Sequence, residues 1–195
     1  MAKIRCDWVD LSKPDYVSYH DEEWGVPVLE DSRLFEALCL EGAQAGLSWY
    51  TILKKREHYR EAFSQFVLND VAAYSESRIK GILLDSGIVR HEGKIRSVVN
   101  NAKACLRCVS DFGSFNGFVL TAWESCGGAD RYNKFSSLMK RAGFKFVGPT
   151  TLESFAQAVG LVNDHSSTCF RYRTINALKA KQITPVFGGG LSKIT

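Results

Sequence analysis

The 195-residue chain is 45% apolar and 24% charged, with 16 glycines and 4 prolines, a composition that excludes disordered, collagenous and low-complexity proteins and supports burial of roughly 70% of the extended surface. Charge interrupts every apolar stretch well before the ~20 residues that a spanning helix needs, and residues 1–7 hold no apolar run of signal-peptide length, so the expectation is a cytoplasmic protein that makes no use of a membrane. The net charge of +4 conceals an asymmetry: residues 1–41 carry 4 Lys/Arg against 10 Asp/Glu, whereas residues 42–195 carry 21 against 11, so the larger, basic part can meet a polyanion.

No period of 20 to 50 residues recurs, which removes solenoids and propellers, and the reading along the chain is all-α. Asp31-Ser32 opens a helix with Leu34, Leu38 and Ala45 on one stripe, a second helix runs over 49–55, and further helical segments follow at 57–66, 69–73 and 76–84. After Gly93, the residues Ile95, Val98, Val99, Ala102, Leu106 and Val109 keep i, i+3, i+4 spacing through several turns. Later helices are predicted over 115–123, 134–141 and 152–159, and β-type alternation is limited to short pieces such as 144–147. A domain over 1–169 is followed by a tail at 170–195, where Gly188-Gly189-Gly190 and polar neighbours predict flexibility.

Within the first of these helices, Glu41 follows Leu34 by seven residues and Leu38 by three, so helical phase turns its carboxylate toward the apolar face. A buried carboxylate must be compensated. Either a core lysine or arginine pairs with it, or it faces a pocket and takes a cationic or amine-bearing ligand. Tyr16, Tyr19, Trp24 and Trp49 lie in sequence reach, and ring faces beside an acid suit a planar cation.

His165 and Cys169 are four residues apart, the spacing of a one-turn chelate, and Cys6 and His20 supply a second pair. If all four bind one ion, zinc fits, the tetrahedron is closed to catalytic water, and the site is a structural tie between the two ends of the chain. The alternative is two buried cysteines and two unrelated histidines. In a reducing compartment the cysteines at 6, 39, 105, 108, 126 and 169 remain thiols or ligands, and the Cys105-x-x-Cys108 pair, on the amphipathic helix, reads as structural.

Residues 84–95 read as a helix end, a glycine-bearing turn and a new helix start. Backbone N–H groups at such a start attract phosphate, and Arg90, Lys94 and Arg96 add positive charge. Residues 78–107 carry 7 Lys/Arg against 2 acids, which fits sequence-independent contact with a DNA backbone or an ordinary solvated face.

Cys6-Asp7-Trp8, Tyr19-His20-Asp21-Glu22-Glu23-Trp24-Gly25-Val26-Pro27, Leu40-Glu41-Gly42-Ala43-Gln44-Ala45-Gly46-Leu47-Ser48-Trp49, Gly143-Phe144-Lys145-Phe146-Val147-Gly148 and Gly160-Leu161-Val162-Asn163-Asp164-His165 together resemble the 3-methyladenine DNA glycosylase I family. The resemblance spans Cys6 to Cys169. It implies a helix-hairpin-helix glycosylase with a structural zinc held by Cys6, His20, His165 and Cys169. It also implies a base pocket built by Glu41, Tyr19 and Trp49, with Tyr16 and Trp24 as further walls, a DNA wedge at Gly46-Leu47, and a phosphate grip around Gly87, Arg90, Gly93 and Lys94. The implied partner is double-stranded DNA carrying alkylated bases, free 3-methyladenine is the product, and the protein acts as a monomer.

In DNA, 3-methyladenine is already cationic, so cleavage of its bond to the sugar releases a neutral base without prior protonation. The enzyme's task shifts to extracting the nucleotide and to stabilising an oxocarbenium-like sugar beside a phosphate. No lysine lies within the pocket motifs, so Schiff-base lyase chemistry is not expected. Asp111, after the hairpin, reads as a surface residue. Two rivals are a zinc-stapled DNA-binding module without excision and a zinc hydrolase. The first is opposed by Glu41, Tyr19 and Trp49 all being in place, the second by a four-ligand protein site.

Overall fold

The structure, a computed structural model, describes residues 3–182, with side chains through residue 180. Among the described residues every regular element is helical and there is no strand. The chain forms two compact units, one from residues 3–28 with 154–182 and the other from residues 29–153.

The first unit brings the two ends of the chain together. Pro14, whose fixed φ suits a helix start, opens α1 (Pro14–Ser18). That helix runs directly into a π-helical turn, Tyr19–Glu23, closed by the Trp24 N–H on the Tyr19 carbonyl at 2.9 Å. The Gly25 N–H then donates to the Ala158 carbonyl and the Val28 N–H to that of Val159, so the segment after the turn is laced to the end of a late helix. Gly160 permits this close approach: its φ is +77°, and a Cβ there would stand 2.7 Å from the Gly25 carbonyl oxygen. The unit closes with a helix at Tyr172–Gln182, anchored by the buried Ile175 and by the Lys179 ammonium on the Leu161 carbonyl at 2.8 Å. The tail expected over 170–195 is therefore helical from 172 to 182, because Ile175 has a core to enter; Gly188-Gly189-Gly190 lie outside the described residues.

The second unit is built around a 21-residue helix, Glu92–Phe112, which packs against α2 (Asp31–Gln44) and against helices Leu68–Ala72, Glu76–Ile82 and Phe115–Glu124. In chain order, after the short α3 (Trp49–Leu53), α4 is Arg56–Ala62, α5 is Leu68–Ala72, α6 is Glu76–Ile82, α7 is Glu92–Phe112, α8 is Phe115–Glu124, α9 is Arg131–Arg141, α10 is Pro149–Ala158 and α11 is Tyr172–Gln182. The buried stripe of α7 is wider than its periodicity indicates. It includes Ser97, Asn101, Ala104 and Cys108 beside Ile95, Val98, Val99, Ala102 and Cys105, while Leu106 and Val109 are only half-buried. Burial pushes the Cys108 thiol up to about 12 and that of Cys105 well above its ordinary value, so this Cys-x-x-Cys is inert packing.

Two expected elements take another form. The helix predicted over 57–66 stops at Ala62, and residues Ser64–Phe66 make a 3-10 turn with positive φ, where the Tyr74 hydroxyl takes up the Ala62 carbonyl. The β-type run 144–147 is an irregular loop. Its polar backbone groups are met by side chains: the Asn101 carboxamide both donates to the Lys145 carbonyl at 3.0 Å and accepts from the Lys145 N–H at 2.8 Å, Asn100 donates to the Gly143 carbonyl, and Ser136 to that of Val147. Phe144 enters the core against Phe115 and Phe118, so alternation here records burial rather than a strand.

Asp31, the first residue of α2, also closes the start of α8. Its two carboxylate oxygens accept the N–H groups of Phe115 and Asn116 at 2.9 Å each. Replacing this double cap, Asp31→Ala, is expected to lower the unfolding free energy by about 1–2 kcal/mol in urea titrations; a change below about 0.3 kcal/mol contradicts the assignment.

Candidate active site and metal centre

Glu41 lies on the buried face of α2 between Leu38 and the helix end, as helical phase requires, and is 4% exposed. Its Oε2 has no hydrogen-bond partner among the described residues. Burial alone pushes the carboxyl up to about 8, with no charged neighbour offsetting the loss of water. Of the two readings left open by the sequence, the core ion pair is therefore not the one the structure adopts.

The segment after Glu41 is shaped by one glycine. α2 ends at Gln44, Gly46 takes φ +80°, and Ser48 caps α3 by accepting the Thr51 N–H. This tight turn leaves Leu47 41% exposed at its tip and places Trp49, half-buried, as the first residue of α3. An apolar side chain held out on a short turn has the form of a wedge.

The hairpin lies between α6 and α7. The Asp85 carboxylate accepts the Gly87 N–H at 2.7 Å, the Lys55 ammonium donates to the Ser86 and Gly87 carbonyls, and the Tyr59 hydroxyl accepts the Val89 N–H. A Cβ on Gly87 would stand 2.5 Å from the His58 ring, so glycine is required by space. His91 caps α7 by accepting the Lys94 N–H, and Arg90 stands exposed beside this start. Two of the cations expected to face phosphate are directed elsewhere. Arg96 is ion-paired with both Glu76 and Glu92, and the Lys94 ammonium is turned onto the carbonyls of Ala43 and Ala45 at the end of α2. The Glu92 pair has ordinary i,i+4 spacing, but the Glu76 and Ala43 partners were not visible in sequence, since Glu76 is 20 residues from Arg96 and Ala43 is 51 from Lys94. Asp111 is exposed, as expected.

In the first unit the four expected ligands converge. The donor atoms of Cys6, His20, His165 and Cys169 all lie within 4.8 Å of one another, and this is the one such group among the described residues. The Cys6 sulfur is 3.5 Å from His165 Nδ1, and the Cys169 sulfur is 3.5 Å from both His165 Nδ1 and His20 Nε2. The opposite nitrogen of each ring is already engaged. His20 Nδ1 meets the Asp21 carboxylate at 2.8 Å, which Arg5 grips with two hydrogen bonds, and His165 Nε2 meets the Trp24 carbonyl at 3.1 Å. Each imidazole therefore presents its remaining nitrogen to the centre of the cluster. Burial pushes His165 down to about 4 and lowers His20 as well, keeping both rings in the neutral, ligating form. These residues can hold a metal ion.

An extended backbone at Tyr19-His20 would send the two side chains to opposite faces. The chain is helical there instead, with Tyr19 6% and His20 0% exposed, so ligand and tyrosine are fixed by one π-helical turn. Trp8 was not among the expected site residues, although it follows the motif Cys6-Asp7. Its ring packs 5.1 Å from Tyr16, 5.3 Å from His20 and 4.9 Å from Trp24, joining the aromatic residues to the metal ligands.

Two outcomes are expected. Elemental analysis should find one metal ion per chain and none in Cys169→Ser, with Tm lowered by roughly 5–10 °C in that variant; full metal retention would exclude the ligand. The Glu41 carboxyl ionises near 4.3 when unfolded and near 8 when folded, so the folded state keeps the extra proton and stability falls as pH rises through this window. Glu41→Gln, with no proton to lose, should be more stable than the parent by about 2–4 kcal/mol at pH 8 and nearly equal to it at pH 4. Urea curves at the two pH values measure this, and a variant no more stable at pH 8 would contradict it.

A family model of methyladenine glycosylases matches residues 8–172. The DNA-3-methyladenine glycosylase 1 of Escherichia coli (strain K12) is 44% identical over 181 residues, covering 86% of this chain and 96% of the relative. A crystal structure of a 3-methyladenine DNA glycosylase I is similar with a TM-score of 0.80 and 44% identity, over 86% of this chain and 98% of that one. A variant of a 3-methyladenine DNA glycosylase I in complex with 3-methyladenine is similar with a TM-score of 0.80 and 34% identity, over 86% and 97% of the two chains. The chain belongs to the methyladenine glycosylase family.

Proposed function

We propose that this protein is a monomeric DNA-3-methyladenine glycosylase, a hydrolase that flips 3-methyladenine out of alkylated double-stranded DNA and starts base excision repair on the chromosome in the cytoplasm. One observation carries the reading within this family: a buried carboxyl, Glu41, whose Oε2 lacks a hydrogen-bond partner among the described residues and which no counter-charge among them compensates. Such a group is stabilised by a cation entering its surroundings, and 3-methyladenine in DNA is a flat cation.

Glu41 accepts a hydrogen bond from the exocyclic amino group of the base and Trp49, of the same unit, supplies a ring face, while for Tyr16, Tyr19 and Trp24 the role of further ring walls is what the family resemblance implies. Normal adenine makes similar contacts but brings no positive charge to ionise the carboxyl, so selection is largely electrostatic. Leu47, exposed on the Gly46 turn, fills the gap left in the stack, and Gly87, Arg90 and Gly93 meet the phosphates. The bond from N9 to C1′ breaks with its electron pair going to the base, which leaves neutral. Water adds to the sugar cation at C1′ and loses a proton, giving an abasic site. DNA phosphate stabilises the cation, no lysine forms a Schiff base, and strand cleavage does not follow.

Zinc is the metal that the donor set fits. A tetrahedral ion with bonds near 2.3 Å to sulfur and 2.0 Å to nitrogen would need S···N edges of about 3.5 Å, and three of the four sulfur–nitrogen edges of the cluster are 3.5 Å. Cys6, His20, His165 and Cys169 would hold it as a closed structural site that supplies no reacting water. His20, held in such a site, would fix the backbone of Tyr19 through the π-helical turn that they share.

Incubation with methylated duplex DNA followed by chromatography of the released bases tests the reading: 3-methyladenine should appear, with little 7-methylguanine, and the absence of 3-methyladenine would refute it. In Glu41→Gln the excision rate should fall by one to a few decades, about 1–4 kcal/mol. For the parent, kcat/KM should rise with pH toward a plateau above about pH 8 as the carboxyl ionises, a rise missing from the variant; parallel profiles would remove Glu41 from the recognition step.

A further inference from the structure

The end of α2 lies three residues beyond Glu41, and its last carbonyls have no partner within the helix. The Lys94 ammonium, from the first turn of α7, fills this place. Nζ stands 2.8 Å from the Ala43 carbonyl and 2.7 Å from that of Ala45, using two of its three donors at the end of a helix dipole that favours a cation. Ala45 is followed directly by Gly46 and Leu47, and the Leu47 N–H returns to the Gln44 carbonyl, so the ammonium sits at the root of the exposed turn. The same two helices also meet through Phe146. Its ring is edge-on to His91, the cap of α7, and a Cβ on Gly42 would stand 3.2 Å from the Phe146 Cβ. Phe146 holds a φ of +56° in a loop pinned by Asn101 and Ser136. A polar and an apolar contact thus tie the start of α7 to the segment carrying Glu41, Leu47 and Trp49.

We propose that Lys94 is a positioning residue for base excision, whose ammonium bonds to the Ala43 and Ala45 carbonyls set the Leu47 turn and the Glu41 helix against the hairpin helix that grips DNA. This rests on the glycosylase reading and deepens it. A lysine expected on a phosphate serves instead to pass the position of the hairpin to the wedge and to the pocket helix. Its chemistry suits the task, since three donors on a flexible stem can bridge carbonyls two residues apart, one in the last turn of α2 and one just past its end.

The test separates this role from phosphate contact. Lys94→Met and Lys94→Arg are compared with the parent in single-turnover excision from methylated duplex DNA, in binding of unmodified duplex at several salt concentrations, and in thermal melts. The expected result is a saturating rate at least tenfold lower in Lys94→Met, an unchanged Kd and salt slope for duplex, and recovery of most of the rate in Lys94→Arg. A saturating rate equal to the parent's overturns the proposal. So does weaker duplex binding with the salt slope reduced by about one, which is the signature of a lost phosphate contact. If Lys94→Met melts below the assay temperature, Lys94→Gln replaces it: its carboxamide can donate to one of the two carbonyls, and a rate between those of Lys94→Arg and an uncatalysed control supports the role, whereas a parental rate overturns it. A parent protein that releases no 3-methyladenine would refute the glycosylase reading itself, an outcome distinct from any of these.

Discussion

A carboxyl group held out of water without a counter-charge is unfavourable in its ionised form, and the fold must hold it there by other means. On α2, Leu34, Phe35 and Leu38 sink the same helix face into the core, and each large side chain so buried contributes on the order of 1.5–3 kcal/mol. That is enough to carry one misplaced acid. The result is a group that rests protonated at neutral pH, and on the proposed reading it ionises when the positive charge of a damaged base arrives.

The surroundings of Glu41 show how short helices can present such a group reliably. α3, α5 and α6 are five to seven residues long, too short to be stable on their own, and they persist because α5 and α6 pack on the long apolar stripe of α7 and α3 packs on α2. Backbone groups left over at helix ends and turns are taken by side chains from distant positions: Asp31 at the start of α8, Lys55 and Asp85 in the hairpin, Asn101 and Ser136 in the 143–147 loop, Lys94 at the end of α2. In the first unit the Arg5–Asp21–His20 chain orients one of the four residues that can hold a metal ion from outside the cluster.

Much of this was legible in the sequence. The burial of Glu41 followed from its phase against Leu34 and Leu38, and the convergence of Cys6, His20, His165 and Cys169 was implied by the family resemblance, with the one-turn spacing of His165 and Cys169 pointing the same way. The long amphipathic helix announced itself by spacing. What could not be read were effects of partners remote in the chain. Lys94 looked like a free cation because its carbonyl partners lie far off in sequence, and Arg96 did because only Glu92 of its two carboxylates is near while Glu76 is 20 residues away. Residues 144–147 resembled a strand because alternation reports burial, and nothing local revealed that Asn101 satisfies both polar groups of Lys145. The π-helical turn at Tyr19 depends on one wide hydrogen bond from Trp24 that no pattern encodes.

The claim beneath all of these is that Glu41 waits uncharged for a cation, and direct titration of that one group by carbon-detected NMR, with side-chain-labelled glutamate and Glu41→Gln for assignment, measures it without reference to catalysis. The account predicts a carboxyl resonance moving with a midpoint near pH 8 in the free protein and shifting several-fold in proton affinity toward the ionised form when a cationic methylated nucleobase is bound. A midpoint between about 4 and 5, the range of an ordinary solvated glutamate, would contradict it.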